Sequence, residues 1–145
     1  MPDFKGVSHI ELTVRDADRS AEWYERVLDM RRVDAPPEHD VVGRPPGWQP
    51  GGRVINMRHP TARFALGVRT HDSSDDAEFS EFRVGLDHLA LQVDRRSELE
   101  KWAEHLDGCG VAHSAITDMP YGSVLVFRDP DNIQLEFFVY SNIYG

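Results

Sequence analysis

Two histidines in this chain occupy equivalent places in a repeated segment. Residues 6–27, GVSHIELTVRDADRSAEWYERV, align without a gap on residues 85–106, GLDHLALQVDRRSELEKWAEHL. His9 then meets His88, and a carboxylate, Glu136, lies near the end of the chain among Leu135, Phe137 and Phe138. Two imidazoles and one carboxylate can take one side of an octahedral ion and leave positions open for water or substrate. A carboxylate in apolar company is costly unless it is paired or bound to a cation. An ion pair from Glu136 to Arg69 or Arg128 would meet that need equally well. Glu11, two residues after His9, is about 7 Å further along an extended chain, a spacing suited to a general base. It too has a plainer alternative, an ion pair with Arg69 or a hydrogen bond to Gln92.

Strands and helices must bring these residues together. Ile10, Leu12 and Val14 alternate with His9, Glu11 and Thr13, and Leu89, Leu91 and Val93 alternate with His88, Ala90 and Gln92. That period of two predicts a strand with two unlike faces in each copy. A helix follows each: Leu99, Trp102, Ala103 and Leu106 recur at helical spacing behind a capping box read at Ser97–Glu100, and Asp18 takes the N-cap in the first copy. Trp23 and Trp102 are expected as equivalent core anchors. Further strands are expected at 53–58, 63–69, 122–128 and 133–140, with weaker signals near 30–34 and 111–116. Each unit therefore reads βαβββ. The apolar parity of Ile10, Leu12, Phe64, Leu66, Leu89, Leu91, Ile133, Leu135 and Phe137 belongs under the helices. The other face then collects His9, Glu11, Thr13, Ala65, Gly67, Arg69, His88, Ala90, Gln92, Gln134, Glu136 and Phe138. The five remaining histidines, His39, His59, His71, His105 and His113, are read as solvated.

At 145 residues the chain is sized for a single domain, with a first unit at 6–70, an acidic connector at 71–84 and a second unit at 85–140. The connector reads as a solvated linker. Residues 35–52 hold five prolines and four glycines, too many breakers for a regular element, and with Trp48 they read as a lid or a surface excursion. A formal charge of −9 with no basic stripe speaks against nucleic acid. No apolar run approaches the roughly 20 residues of a membrane span, and the first residues lack the pattern of an export signal, so a cytoplasmic protein is expected. One cysteine, Cys109, rules out an intrachain disulfide and a cysteine-rich metal cage. The expected partner is a small molecule, and a homodimer is left open.

The βαβββ repeat, the HIELTV and HLALQV strands and the FRDPDNIQLEFF segment resemble the vicinal oxygen chelate superfamily. That group contains glyoxalase I, fosfomycin-resistance transferases, extradiol dioxygenases and bleomycin-resistance proteins. The resemblance covers residues 6–140. It implies an α+β fold in which two tandem units make a cupped, barrel-like mixed sheet with the helices outside. It also implies metal ligands on the first and last strand of each unit, at His9, Gly67, His88 and Glu136. Gly67 offers no donor, so a glyoxalase I site would lack its fourth ligand. Val126, Thr117, Asp118 and Met119 stand where the extradiol pattern has its acid-base partners, and Tyr121 is near enough to substitute. A fosfomycin transferase would have Thr at Glu11 and a cationic pocket. Asn132 stands where Gly is common after Asp-Pro, and Asn tolerates the left-handed backbone.

The resulting expectation is a metal-dependent enzyme with a divalent ion on His9, His88 and Glu136. Fe(II) is the first expectation, with Mn(II), Zn(II) or Ni(II) as alternatives. Coordination of two adjacent substrate oxygens would stabilise an enolate or catecholate while Glu11 or Tyr121 moves the proton. The alternative is a metal-free binder that sequesters an apolar or aromatic small molecule, as the resemblance to the bleomycin-resistance proteins implies.

Overall fold

The structure, a computed structural model, describes residues 2–3, 6–34, 51–72 and 77–141. Residues 35–50, with Trp48 and His39, lie outside the described residues, and so does most of the expected lid. The chain separates into two compact units, Met1–Asp76 and Ala77–Gly145. In the first, β1 (Ile10–Thr13) and α1 (Ala17–Leu28) are followed by β2 (Arg31–Arg32), β3 (Val54–Arg58) and β4 (Ala65–Arg69). In the second, β5 (Leu89–Gln92) and α2 (Arg96–Gly108) precede β6 (Thr117–Met119), β7 (Gly122–Arg128) and β8 (Gln134–Tyr140). The βαβββ order is thus realised twice. Each unit has its own four-stranded mixed sheet, curved but not closed into a barrel, in the orders β1-β4-β3-β2 and β5-β8-β7-β6. The first strand pairs parallel with the last, because the helix between carries the chain back to the starting end.

Each helix covers one face of its own sheet. In the first unit Leu12, Leu66, Val68, Ile55 and Met57 are buried with Tyr24, Val27 and Leu28 of α1. In the second, Leu125, Phe127, Leu135 and Phe137 are buried with Leu99 and Leu106 of α2. The expected tryptophan anchors need correction. Trp23 and Trp102 are only half-buried, whereas Tyr24 is fully enclosed. A helix stripe is about 100° wide, and on α1 its centre falls one residue later than the repeat suggested. Trp102 instead lies flat on Phe137, with centroids 4.1 Å apart, and roofs the core from its rim.

The helix starts differ from expectation as well. Asp16, not Asp18, caps α1: its backbone is extended and its carboxylate accepts from the Arg19 N–H at 3.1 Å. Asp18 points away, to Arg53 at 2.8 Å and Arg32 at 3.4 Å. At α2 the reaching carboxylate is Glu98, which accepts from the N–H groups of Asp94 and Arg95. Ser97 is already inside the first turn, so Ser97 and Glu100 form no box. The weak strand expected at 111–116 shrinks to one bridge, His113 with Phe127. There the Ser114 hydroxyl takes the Val126 N–H at 3.0 Å, displacing the backbone ladder until Thr117.

The turn between β7 and β8 fixes the register of the last strand. Asp129 is buried, and its Oδ1 accepts from the N–H groups of Asp131 at 2.9 Å and Ile133 at 2.8 Å. Asn132 adopts φ 68°, the left-handed conformation expected of it. The connector is not a plain solvated linker. The Asn132 side-chain amide donates to the Phe79 carbonyl at 3.1 Å, and Glu81 accepts from Arg128 at 2.6 and 3.2 Å. The hydrogen bond from Arg128 is the main reason the Glu81 carboxyl falls to a pKa of about 2.

Two expectations follow. Tyr24→Ala should destabilise the protein by about 3 to 5 kcal/mol, as loss of a large buried ring does, and Trp23→Ala by clearly less; urea unfolding of both variants measures the order. A depressed carboxylate stabilises the fold above its unfolded pKa of 4.5 and loses that contribution as pH falls towards about 2. Glu81→Gln should therefore lower the thermal midpoint at neutral pH, with the gap to the parent closing across that acid window.

Candidate functional site

Strand register sets three residues side by side in each unit. In the second unit Ala90 of β5, Glu136 of β8 and Val126 of β7 form one row. Leu135 and Phe137 point into the core under α2, so Glu136 and Phe138 occupy the opposite, open face with Gln134 and Tyr140. The Glu136 side chain is only 13% exposed there. Burial is the main influence on it and raises its pKa; the charge on His88 lowers it, and Asp87 raises it again.

His88 stands just before β5 and presents Nε2 to Glu136 Oε1 at 3.6 Å. Its other nitrogen, Nδ1, is 2.6 Å from Asp87 Oδ1. A carboxylate on Nδ1 holds the proton on that side and turns a basic Nε2 outward, the usual support for a metal-binding imidazole. Two donors each about 2.0 to 2.2 Å from one ion stand about 2.8 to 3.1 Å apart at an octahedral angle and about 3.3 to 3.6 Å at a tetrahedral one. The His88–Glu136 spacing of 3.6 Å lies at the tetrahedral end of that range, and an imidazole with a carboxylate is the donor chemistry of a first-row ion.

In the first unit the corresponding row is Glu11 of β1, Gly67 of β4 and Asn56 of β3. The carboxylate has moved to the first strand and the last strand has the bare position. A Cβ on Gly67 would lie 3.0 Å from Glu11 Cγ and 3.2 Å from its Oε1, so the Glu11 side chain runs across the space that Gly67 leaves. It does so to reach Arg69, two residues along β4, whose Nη2 is 3.3 Å from Oε1 and whose Nε is 3.2 Å from Oε2. The ion-pair alternative for Glu11 is thus realised, and the guanidinium side chain is 7% exposed. Register places Arg69 where the second unit has Phe138. His9 precedes β1 as His88 precedes β5, and its Nδ1 lies 2.9 Å from the Ser8 hydroxyl.

His88 and Glu136 are therefore brought together, whereas Glu11 is paired with Arg69. Among the described residues no group of three or more His, Cys, Asp or Glu is assembled as a metal cluster. Tyr121 sits in the turn between β6 and β7, its ring 6.4 Å from and nearly parallel to that of Phe138. Two histidines read as solvated have structural partners instead. His59 Nδ1 accepts from the N–H groups of Thr61 and Ala62, and His113 lies between the Ser114 carbonyl at 2.7 Å and Asp107 at 3.2 Å. Sequence reading missed Asp87 and Ser8, the polar residues preceding each repeated histidine. That coincidence in both copies is a signal it had available.

The family model of the Glyoxalase/Bleomycin resistance protein/Dioxygenase superfamily matches residues 6–137. No curated protein matches the chain by sequence. Among solved structures, a glyoxylase/bleomycin resistance protein/dioxygenase domain from Frankia sp. EAN1pec is 34% identical, with a TM-score of 0.77 over 96% of this chain and 100% of that one. A lactoylglutathione lyase from Agrobacterium tumefaciens is 16% identical, with a TM-score of 0.68 over 95% of this chain and 96% of that one. A substituted form of the fosfomycin resistance protein FosX from Listeria monocytogenes, in complex with Mn(II) and 1S,2S-dihydroxypropylphosphonic acid, is 17% identical, with a TM-score of 0.65 over 97% and 95%. The last two likenesses concern the fold alone. No helix of the described residues is long and apolar enough to cross a membrane. With a family model matched over nearly its whole length and a relative at one-third identity, the chain belongs to the Glyoxalase/Bleomycin resistance protein/Dioxygenase superfamily.

Proposed function

We propose that the protein is a metal-dependent enzyme acting on a small oxygenated molecule, with His88 and Glu136 as two ligands of a divalent ion and His9 as the third. The observation that carries this reading is the treatment of the two carboxylates. Glu11 has a guanidinium against both oxygens, whereas Glu136, its side chain 13% exposed, has among the described residues only the His88 imidazole at ion-pair distance. A metal cation would supply the charge that Glu136 lacks. His9 joins the set by its place in the repeat and by the Ser8 hydroxyl on its Nδ1, which leaves Nε2 to ligate.

Held by His88, Glu136 and His9, a divalent ion would supply Lewis-acid stabilisation to adjacent substrate oxygens. Asp87 orients the His88 ring through Nδ1, and Arg69 holds the Glu11 side chain over Gly67. Glu11 is assigned the proton transfer, with the Tyr121 hydroxyl as the alternative carrier. Fe(II) remains the first expectation for the ion, and the Mn(II) in the FosX complex raises manganese beside it. The absence of an assembled three-residue cluster among the described residues favours a second reading, a metal-free binder of a small molecule.

Elemental analysis of the purified protein after dialysis decides between them. The parent should retain about one first-row ion per chain, His88→Ala and Glu136→Gln should lose it, and Glu11→Gln should keep it. Retention by both ligand variants, or a metal-free parent that cannot be loaded, sinks the metal reading. On a substrate that the parent turns over, Glu11→Gln should be slower by about 10² to 10⁴, the usual general acid-base contribution. Loss of metal from Glu11→Gln would make Glu11 a ligand instead.

A further inference from the structure

Alternate residues of β8 on the open face run Gln134, Glu136, Phe138, Tyr140, in steps of about 7 Å. The strand therefore passes from an amide to the proposed ligand and then to two rings. Phe137 stacks on Trp102 and Phe127 on the core side, so Phe138 has no place there. It lies instead beside Tyr121, nearly parallel at 6.4 Å, and meets Tyr140 edge-on at 4.8 Å. Val124 pairs with Phe138 across β7, and Val126 pairs with Glu136. A Cβ on Gly122 would strike the Val139 carbonyl and also the Phe138 ring, 2.6 Å from Cζ, so both the strand pair and the ring are packed against a bare position at 122. Tyr121 and Tyr140 remain 47% and 53% exposed.

The fold does not require this apolar surface. At the equivalent place the first unit carries Arg69, in the same register on the same kind of sheet. The charge pattern is also selective. Arg128 is the guanidinium on this face of the second unit, and its donors are taken by Glu81, the Asn132 carbonyl at 2.9 Å and Gln134 at 3.0 Å. An anionic group laid on the rings would find that cation already committed, while an uncharged apolar group would cover the rings and valines at little desolvation cost.

We infer that the substrate carries an uncharged aromatic or other apolar body beside its oxygen donors, and that this body lies on Tyr121, Phe138 and Tyr140 while the donors face His88 and Glu136. The inference rests on the metal reading above and narrows it to a substrate class.

Two hydroxamates with the same chelating head separate the two claims. Acetohydroxamic acid tests the metal end alone, and benzohydroxamic acid adds a phenyl ring. Calorimetric titration of the Mn(II)-loaded full chain should show benzohydroxamate binding about tenfold or more tighter, as burial of a ring on an apolar surface gives. Phe138→Ala, which removes the ring without adding a charge beside Glu136, and Tyr140→Ser, at an exposed position, should each shrink that preference while acetohydroxamate affinity stays put. Equal affinities for the two probes on a metal-loaded parent, or a preference that survives both substitutions, overturns the inference and leaves the metal reading standing. A parent that holds no metal and binds neither probe overturns both. If Tyr140→Ser changes the sedimentation coefficient and not the preference, the rings are a contact between copies of the chain and the inference fails.

Discussion

Bringing a carboxylate to 13% exposure on a sheet surface, as at Glu136, costs several kcal/mol unless its charge is compensated, and the two units treat their carboxylates differently, Glu11 staying 38% exposed. In the first, Arg69 comes up from the next row of the sheet and takes both oxygens of Glu11. In the second the same place holds Phe138, which supplies no charge, and burial drives the Glu136 pKa upward. The neighbours of Glu136 are an imidazole whose Nδ1 is held by Asp87, a small Ala90 on one side and Val126 on the other. Among the described residues none of these neighbours is a fixed cation.

Holding Glu136 in that environment depends on register, because a slip of one residue would exchange it with Phe137 and turn the carboxylate into the core. The β7–β8 turn prevents the slip. Asp129 collects two backbone donors, Asn132 takes the left-handed conformation that a tight reversal needs, and its amide ties the turn to Phe79. Glu81 then clamps Arg128, which in turn holds Gln134 at the start of β8. The acidic stretch before the second unit thus acts on the site from a distance, through the first residues of the strand that carries it.

Much of this was legible from the order of residues alone. A period of two distinguishes faces without reference to tertiary structure, so Glu11, Gly67, His88, Glu136 and Phe138 could all be assigned to the open face from the sequence. The repeat supplied the βαβββ order for the same reason, since both copies carry the same alternation followed by the same helical stripe. What escaped was set by geometry finer than a period. Asp16 and Asp18 are both good caps, and only the point where the chain leaves β1 selects the first. Trp23 and Tyr24 are adjacent, and a rotation of α1 by one residue decides which is enclosed. The partner of Glu11 was named as one of two alternatives, because parity places Arg69 on its face but cannot say which row a flexible side chain reaches.

Within a row, one carboxylate restricts what its neighbour can be. Glu11 occupies the space above Gly67, and any side chain there would lie within 3.0 to 3.2 Å of it before a second functional group is even added. A carboxylate at 67 would in addition set two like charges against one guanidinium, which raises the pKa of one of them or drives them apart. In the second unit the arrangement is mirrored: Glu136 is on the last strand, and the first strand offers only the methyl of Ala90. Each sheet therefore accommodates one carboxylate per row, on either the first or the last strand. Gly67 and Glu11 are one such coupled choice: the carboxylate that reaches across the row to Arg69 fills the space a side chain at 67 would need, so the last strand of the first unit stays bare where that of the second carries Glu136.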